Sequence, residues 1–195
     1  HFKEIYKEGE ITKGKNLLAF EVAKRNVYNF LQVEKKAITE DNDAIKVLLL
    51  EESLSCEIQL ESFDFPIKIA GKVDRIEERN GVIRIIDYKT GKVDAGSLKL
   101  NDIFALTPEI ENEKIIQLLC YAMMFENHEL RKNLDITAGI ISFKNMKKGF
   151  LPVVIGTGKE AVHVISNEMI EDFKVIIKLL ILEIFNPEIP FKEKV

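Results

Sequence analysis

The chain has 195 residues, of which 46% are hydrophobic and 8% aromatic, and this is the size and composition of one globular domain with a buried core. Its 28 basic and 32 acidic residues give a formal charge of −4, which argues against nucleic-acid binding. The argument is weak, because the net charge does not show whether positive charge is confined to one groove. The only two cysteines, Cys56 and Cys120, exclude a disulfide framework and a four-cysteine metal site within the chain.

The chain shows neither a secretory signal nor a membrane span. The most apolar predicted helix segment, residues 175–185, is interrupted by Lys178 and Glu183 and is too short to cross a bilayer. We therefore expect a cytoplasmic protein with no membrane contact. The chain begins at His1 and carries the charged run Lys192-Glu193-Lys194 just before its last residue, so we expect residues 1–195 to be a single domain taken from a longer polypeptide.

The first part of the chain predicts one helix followed by three strands. Apolar residues recur at helical spacing over residues 15–37, without an internal glycine or proline. Residues 55–63 alternate between apolar and polar side chains, as a strand with one solvated face does. Two more strands, 67–77 and 82–89, flank Asn80-Gly81, which is a strong hairpin signal.

The second part predicts helices and short strands. In chain order they are a loop through Gly91, Gly96 and Pro108, a helix over 111–125, a strand over 136–143, short strands over 153–155 and 162–165, and a helix over 167–185. Ser166 or Asn167 is the expected N-cap of the last helix, which stops before Pro187. This order predicts an α/β domain with a mixed β-sheet flanked by α-helices.

The predicted hairpin brings two carboxylates together. A two-residue turn at Asn80-Gly81 sets Asp74 opposite Asp87, with Cβ atoms about 4.5–5.5 Å apart, and such like charges are destabilising unless a cation neutralises them. The period of a strand places Lys89 on the same face as Asp87. Magnesium prefers oxygen ligands of this kind, and phosphodiester hydrolysis uses the ion together with a positioned lysine. The pattern therefore predicts a magnesium-dependent phosphodiesterase site.

Three motifs follow one another along the chain: Gly71-Lys72-Val73-Asp74-Arg75-Ile76, Ile86-Asp87-Tyr88-Lys89-Thr90-Gly91 and Gln117-Leu118-Leu119-Cys120-Tyr121. Together they resemble the motifs of RecB/AddB-like nucleases of the PD-(D/E)XK superfamily. The resemblance is good over residues 55–145 and looser outside them. It implies a restriction-endonuclease-like core and an exonuclease-type enzyme that acts on DNA in recombination and repair, alone or with a helicase subunit or domain.

The resemblance also implies roles for particular residues. Asp74, Asp87 and the backbone carbonyl of Tyr88 would bind Mg²⁺, with Mn²⁺ as a substitute, and Lys89 would be the catalytic lysine. Gln117 and Tyr121 would position DNA or the active site, and their i, i+4 spacing places both on one helix face. Such nucleases usually carry a further His or Glu ligand on an early helix, which we do not assign, and many hold an iron–sulfur cluster, which we do not expect within this chain.

Each of these assignments has a plainer alternative. Asp87-x-Lys89 has the same spacing as Glu34-x-Lys36 and Asp172-x-Lys174, which we place on solvated helix faces, so Asp87 and Lys89 could be ordinary charges of a surface hairpin. Gln117 and Tyr121 could be the polar line of an amphipathic helix. Glu57 is a candidate further metal ligand, or one of the polar residues on a solvated strand face.

Other patterns carry weaker signals. The run from Gly156 to Ala161 imitates a dinucleotide-binding loop, but the following residues alternate like a strand, so we interpret it as a hairpin loop. The basic residues of 144–148 could contact a DNA backbone or be solvated. His128 and His163 have no partner at metal-ligand spacing, and we assign them no chemistry.

Two rival functions remain besides the nuclease. One is a nuclease-fold module that binds DNA or a protein without cutting, because a fold does not prove an activity. The retention of Asp87 and Lys89 favours catalysis over this rival. The other is a structural interaction domain, which predicts no binding of divalent ions.

Overall fold

A five-stranded mixed sheet lies at the centre of the protein. The computed structural model describes residues 12–106 and 110–191, so the predicted loop residue Pro108 and both chain ends lie outside the described residues. The strands are β1 (Ile45–Ile58), β2 (Ile67–Arg79), β3 (Val82–Lys89), β4 (Lys99–Leu100), β5 (Ile136–Ser142), β6 (Phe150–Pro152) and β7 (Val154–Ile155). The order in the main sheet is β1-β2-β3-β5-β6, and β4 and β7 form a separate pair. All neighbours in the main sheet are antiparallel except β3 and β5.

Within residues 12–106 and 110–191, three α-helices accompany the sheet: α1 (Gly14–Thr39), α2 (Glu113–Phe125) and α3 (Asn167–Ile184). Helix α2 packs on the face of β3 that carries Ile83 and Ile85, and α1 lies on the opposite face, where Phe30 meets Tyr88. Helix α3 packs against α2. The predicted class, a mixed α/β sheet flanked by helices, is confirmed.

The hairpin between β2 and β3 has the predicted two-residue turn. Asn80 and Gly81 both have positive φ, 53° and 80°, as a type I′ turn requires, and Arg79 pairs with Val82. The Asn80 side chain also accepts a hydrogen bond of 2.8 Å from the backbone N–H of Ala44, just before β1. The turn therefore sets the register of β2 on β3 and holds the entry to β1.

The hydrophobic core lies between α2, α3 and the sheet. Its most deeply buried side chains include Ile76, Ile83, Ile85, Leu118, Leu119, Phe125, Ile136 and Phe173. Alternate residues of β3 point into this core, and the mostly apolar helix α2 covers them. The side chains of Asp87 and Lys89 continue the same face of β3 beyond the core, so the core positions the polar end of the strand.

The structure differs from the sequence-based prediction at several strands. Strand β1 begins at Ile45, ten residues before the predicted start at Ser55, and ends at Ile58 instead of Phe63. Residues 162–165 form only isolated bridges, Ile155 to Val162 and Ile136 to Ile165, and not a strand. Strands β4 and β6 were not predicted, because their two and three residues are too few to show a period.

The start of α3 agrees with the prediction. The hydroxyl of Ser166 accepts a hydrogen bond of 3.1 Å from the backbone N–H of Met169, so Ser166 and not Asn167 is the N-cap.

Among the helices of residues 12–106 and 110–191, none is both long enough and apolar enough to cross a membrane.

Candidate active site

The C-terminal end of β3 meets β2 at the two predicted carboxylates. The predicted register holds from the Arg79–Val82 pair to the Arg75–Ile86 pair, and Asp74 and Asp87 are the next residues on their strands. Beyond the paired region, the backbone N–H of Tyr88 donates a hydrogen bond of 2.7 Å to Oδ2 of Asp74. The Asp74 carboxylate is thereby fixed against the backbone of the strand that carries Asp87.

The Asp87 carboxylate is buried beside a single cation. Asp87 is only 4% exposed, which contradicts the alternative of a surface hairpin with ordinary charges. Its Oδ2 lies 2.9 Å from Nζ of Lys89, an ion-pair distance, and has no hydrogen-bond partner among the described residues. Burial raises the pKa of the Asp87 carboxyl, the contact with Lys89 lowers it, and the nearby Asp74 charge raises it, with a net increase. A site of this kind favours a further cation.

A chain of hydrogen bonds connects Lys89 to the backbone of β2. Lys89 Nζ donates to Oε1 of Gln117 at 3.0 Å, and Nε2 of Gln117 donates to the hydroxyl of Tyr121 at 2.8 Å. The Tyr121 hydroxyl in turn donates to the backbone carbonyl of Lys72 at 2.8 Å. Because Gln117 and Tyr121 are i and i+4 on α2, one helix face supplies both links. The alternative of a merely polar helix line does not account for these contacts.

Gly71 permits this approach of α2 to β2. A Cβ atom added at Gly71 would lie 3.2 Å from Cε1 of Tyr121 and 3.3 Å from Cε of Met124, both tighter than ordinary van der Waals contact. Burial raises the pKa of the Tyr121 hydroxyl, which keeps the group protonated as a donor. The packing of Tyr121, from the third motif, therefore explains why the first motif has a glycine at position 71.

Glu57 is not brought to the site. It is exposed and pairs with Lys68, six residues before Asp74 on β2, which corresponds to about 20 Å along the strand. The carboxylate of β1 that lies level with Asp74 is Glu51, since its neighbours Leu50 and Glu52 pair with the residues on either side of Asp74. The sequence pattern does not indicate Glu51, because the predicted strand begins after it, at Ser55.

Glu51 forms an ion pair with a lysine of β2. It has a φ of 52°, unusual for a residue other than glycine, and its Oε2 lies 2.6 Å from Nζ of Lys72. Both side chains are mostly exposed. Lys72 also lies close enough to Asp74 for their charges to interact.

Glu34 is not on a solvated face, contrary to the sequence-based interpretation. Its side chain is 16% exposed, and its carboxylate binds Arg75 at 2.9 Å and Arg79 at 3.0 Å on the face of the sheet opposite Gln117. Glu34 lies one helical turn after Phe30, which contacts Tyr88, so both residues face the sheet.

The donor atoms fit a hard divalent cation. No group of three or more His, Cys, Asp or Glu side chains in the described ranges is arranged to hold a metal ion. Two carboxylates, one with a buried oxygen that has no hydrogen-bond partner among those residues, nevertheless suit an ion such as Mg²⁺, which keeps several water ligands. The predicted third donor, the carbonyl of Tyr88, belongs to the residue between Asp87 and Lys89.

The weaker sequence signals have ordinary structural explanations. Nδ1 of His128 accepts a hydrogen bond of 3.2 Å from the N–H of Leu130, and its ring stacks on Phe125. Ile155 and Val162 exchange two backbone hydrogen bonds across the glycine-containing loop, as expected for a hairpin loop. The lysines of Phe143–Lys148 are exposed, and Lys148 lies 3.7 Å from Asp94.

The comparison with known families agrees with the geometry. The sequence profile of the PD-(D/E)XK nuclease superfamily matches residues 18–195. The chain therefore belongs to the PD-(D/E)XK nuclease superfamily, and its mixed sheet flanked by helices is consistent with the restriction-endonuclease-like fold of that superfamily. No curated protein matches the chain significantly. Nuclease activity and the use of a divalent metal ion are general properties of this superfamily.

Proposed function

We propose that the protein is a magnesium-dependent deoxyribonuclease of the exonuclease type that acts in DNA recombination and repair. The observation that carries the proposal is the buried Asp87 carboxylate, whose Oδ2 lies 2.9 Å from Nζ of Lys89. Asp74 is on the adjacent strand, β2, and accepts a hydrogen bond from the backbone N–H of Tyr88. Burying a carboxylate is costly unless a function or a cation compensates for it. RecB/AddB-like character, and a helicase subunit or domain as partner, rest on the motif resemblance alone.

Each residue has a defined role in this proposal. Asp74, Asp87 and the carbonyl of Tyr88 would hold Mg²⁺, or Mn²⁺ in its place. When bound, the ion supplies charge stabilisation at the scissile phosphate and lowers the pKa of water. Lys89 would orient the attacking water through its ammonium group. One water adds to phosphorus, one P–O ester bond breaks, and the leaving sugar oxygen takes up a proton.

Gln117 and Tyr121 would act through Lys89. The ammonium of a lysine on a four-carbon chain has many rotamers, and the hydrogen bond to Gln117 restricts them. Tyr121 holds Gln117 and is itself fixed to the Lys72 carbonyl. The three side chains would thus keep the ammonium beside Asp87 before substrate arrives, and such preorganisation reduces the reorganisation required during the reaction.

Cleavage of end-labelled linear DNA and of closed circular DNA in Mg²⁺ or Mn²⁺ tests the proposal. We expect metal-dependent degradation of linear DNA only, its loss in Asp87→Ala, and full activity in Asp94→Ala, a matched change at an exposed aspartate in the following loop. Cleavage of circular DNA would overturn the exonuclease type while leaving the nuclease. Absence of cleavage together with tight DNA binding would favour the non-catalytic module.

A further inference from the structure

A buried cluster of charges lies on the face of the sheet opposite the carboxylate pair. Within this cluster, Nη2 of Arg75 lies 2.9 Å from Oε2 of Glu34 on α1 and also contacts Glu77. Arg75 and Glu77 are 7% and 1% exposed. Glu34 also binds Arg79 at 3.0 Å, so one glutamate of α1 holds two arginines of β2.

Arg75 connects this cluster to the active-site strands. It is the residue after Asp74, and its Nη1 donates a hydrogen bond of 3.4 Å to the hydroxyl of Tyr88, the residue between Asp87 and Lys89. The backbone N–H of Tyr88 donates to Asp74. Tyr88 is therefore held at both ends, by its hydroxyl on the α1 side of the sheet and by its N–H on the side of the carboxylates.

Aromatic contacts restrict the orientation of the Tyr88 ring. Its ring stacks on Phe143 with centroids 5.6 Å apart and meets the ring of Phe30 edge-on at 5.5 Å. The Arg75 guanidinium lies 5.9 Å from the centroid of Phe30. Helix α1 thus contacts Tyr88 through Phe30 and contacts Arg75 through Glu34.

We propose that Glu34, Arg75 and Tyr88 form a positioning relay that sets the geometry of the active site from behind the sheet. Neighbouring residues of a strand point to opposite faces, so a rotation of β3 that moves Tyr88 also moves Asp87 and Lys89. Fixing Arg75 and Tyr88 to each other holds the ends of β2 and β3 in one relative position. None of the three side chains needs to touch substrate. This inference rests on the proposed nuclease function, because the relay acts on that site.

Arg79 provides a matched control within the same cluster. Arg75→Gln and Arg79→Gln each remove one ion pair to Glu34, at 2.9 and 3.0 Å, and both should lower the melting temperature. Only Arg75 adjoins Asp74 and contacts Tyr88. A merely structural cluster predicts the same functional effect for both variants, whereas a positioning relay predicts a defect for Arg75→Gln alone.

Tyr88→Phe is the milder second variant. It removes the hydroxyl that Arg75 contacts and keeps the ring contacts with Phe30 and Phe143, so the protein should fold even if Arg75→Gln does not. Three quantities are compared with the wild-type chain: the single-turnover rate on linear DNA at saturating Mg²⁺, the KM for DNA, and Mg²⁺ affinity measured by calorimetry without DNA.

We expect Arg75→Gln and Tyr88→Phe to lower the single-turnover rate by about tenfold or more, since small displacements of reacting groups raise the activation barrier. Both variants should also weaken Mg²⁺ binding without raising the KM for DNA. Arg79→Gln should retain the wild-type rate and Mg²⁺ affinity. Folded Tyr88→Phe with the rate and affinity of the wild type would overturn the relay, as would an equal loss in Arg79→Gln. A wild-type chain that neither cleaves DNA nor binds Mg²⁺ would overturn the nuclease proposal itself, a result distinct from these.

Discussion

Nζ of Lys89 donates a hydrogen bond of 3.0 Å to Oε1 of Gln117 and lies 2.9 Å from Oδ2 of Asp87. The ammonium group is therefore shared between a carboxylate of β3 and an amide of α2. The contact links β3 to α2 at the point where the core ends. It also explains why Gln117, which follows Asp87 by 30 positions in the sequence, belongs to the same site as Asp87 and Lys89.

Replacing Lys89 by alanine should abolish cleavage while the fold remains intact. The side chain is about one third exposed, so its removal leaves no large cavity, but it takes away the cation beside Asp87. We expect the cleavage rate to fall by about a hundredfold or more, as when one preorganised hydrogen-bond donor is removed from an active site. Circular dichroism and melting temperature would establish the fold.

The matched control for this change is Lys92→Ala. Lys92 is exposed, lies three residues further along the chain, and pairs only with Asp94 at 3.4 Å among the contacts that the described residues make. The Lys92→Ala variant should cleave DNA at the wild-type rate. An active Lys89→Ala variant would remove Lys89 from the mechanism.

Removing the hydroxyl of Tyr121 should affect both stability and rate. Tyr121→Phe leaves the Lys72 carbonyl without its donor and Gln117 without its acceptor. The loss of both hydrogen bonds should cost about 1–3 kcal/mol in the free energy of unfolding, measured with urea. The rate should fall because Gln117 no longer holds Lys89 in one rotamer. Tyr28→Phe, at an exposed tyrosine of α1, is the control, and equal behaviour of the two variants would contradict the role of Tyr121.

Mg²⁺ should stabilise the wild-type protein and not the Asp87→Asn variant. A ligand that binds only the folded state raises the free energy of unfolding, by about 2.7 kcal/mol at a hundred times its Kd. Burial raises the pKa of the Asp87 carboxyl, so the charged form is disfavoured without a cation, and metal-free Asp87→Asn should be at least as stable as the wild type. Thermal melts with and without Mg²⁺ measure both effects.

Asp94→Asn is the control for the magnesium experiment. Asp94 is exposed and contacts only lysines among the ion pairs of the described residues, so the variant should keep the full Mg²⁺-dependent increase in melting temperature. A similar increase in Asp87→Asn would show that the ion binds elsewhere.

The carboxylate pair could be predicted from sequence because local rules determine it. Asn80-Gly81 selects a two-residue turn, the turn sets the register of β2 on β3, and the period of a strand then assigns every side chain to a face. Asp74, Asp87 and Lys89 follow from this short stretch without knowledge of the rest of the fold. The cap at Ser166 was equally local.

Glu51 and Glu34 could not be predicted because their environments depend on distant residues. The first half of β1 is a run of apolar residues with a register shift between Val47 and Leu49, so it lacks the alternation that identifies a strand. Glu34 is buried by its pairing with Arg75, 41 residues later in the chain. Charges on a helix normally indicate a solvated face, and only the tertiary structure shows this one facing two arginines.

Gly71→Ala should reduce stability and activity together. The added Cβ would lie 3.2 Å from Cε1 of Tyr121, whose hydroxyl is tied to the Lys72 carbonyl, and 3.3 Å from the flexible end of Met124. Met124 can move aside, but the tyrosine ring can move only by loosening its hydrogen bond. We expect a loss of about 1–3 kcal/mol in the free energy of unfolding, as for overpacking in other cores. The cleavage rate should fall because Tyr121 no longer fixes Gln117.

Gly96→Ala is the matched control, since a Cβ atom there meets no atom within 4 Å and its φ is not positive. It should unfold at the wild-type urea concentration and cleave DNA at the wild-type rate. If Gly71→Ala is as stable and as active as Gly96→Ala, then α2 can shift on β2 without consequence, and the link from Tyr121 through Gln117 to Lys89 does not control the reaction. If only Gly71→Ala is impaired, the packing of α2 on β2 and the position of the lysine are coupled.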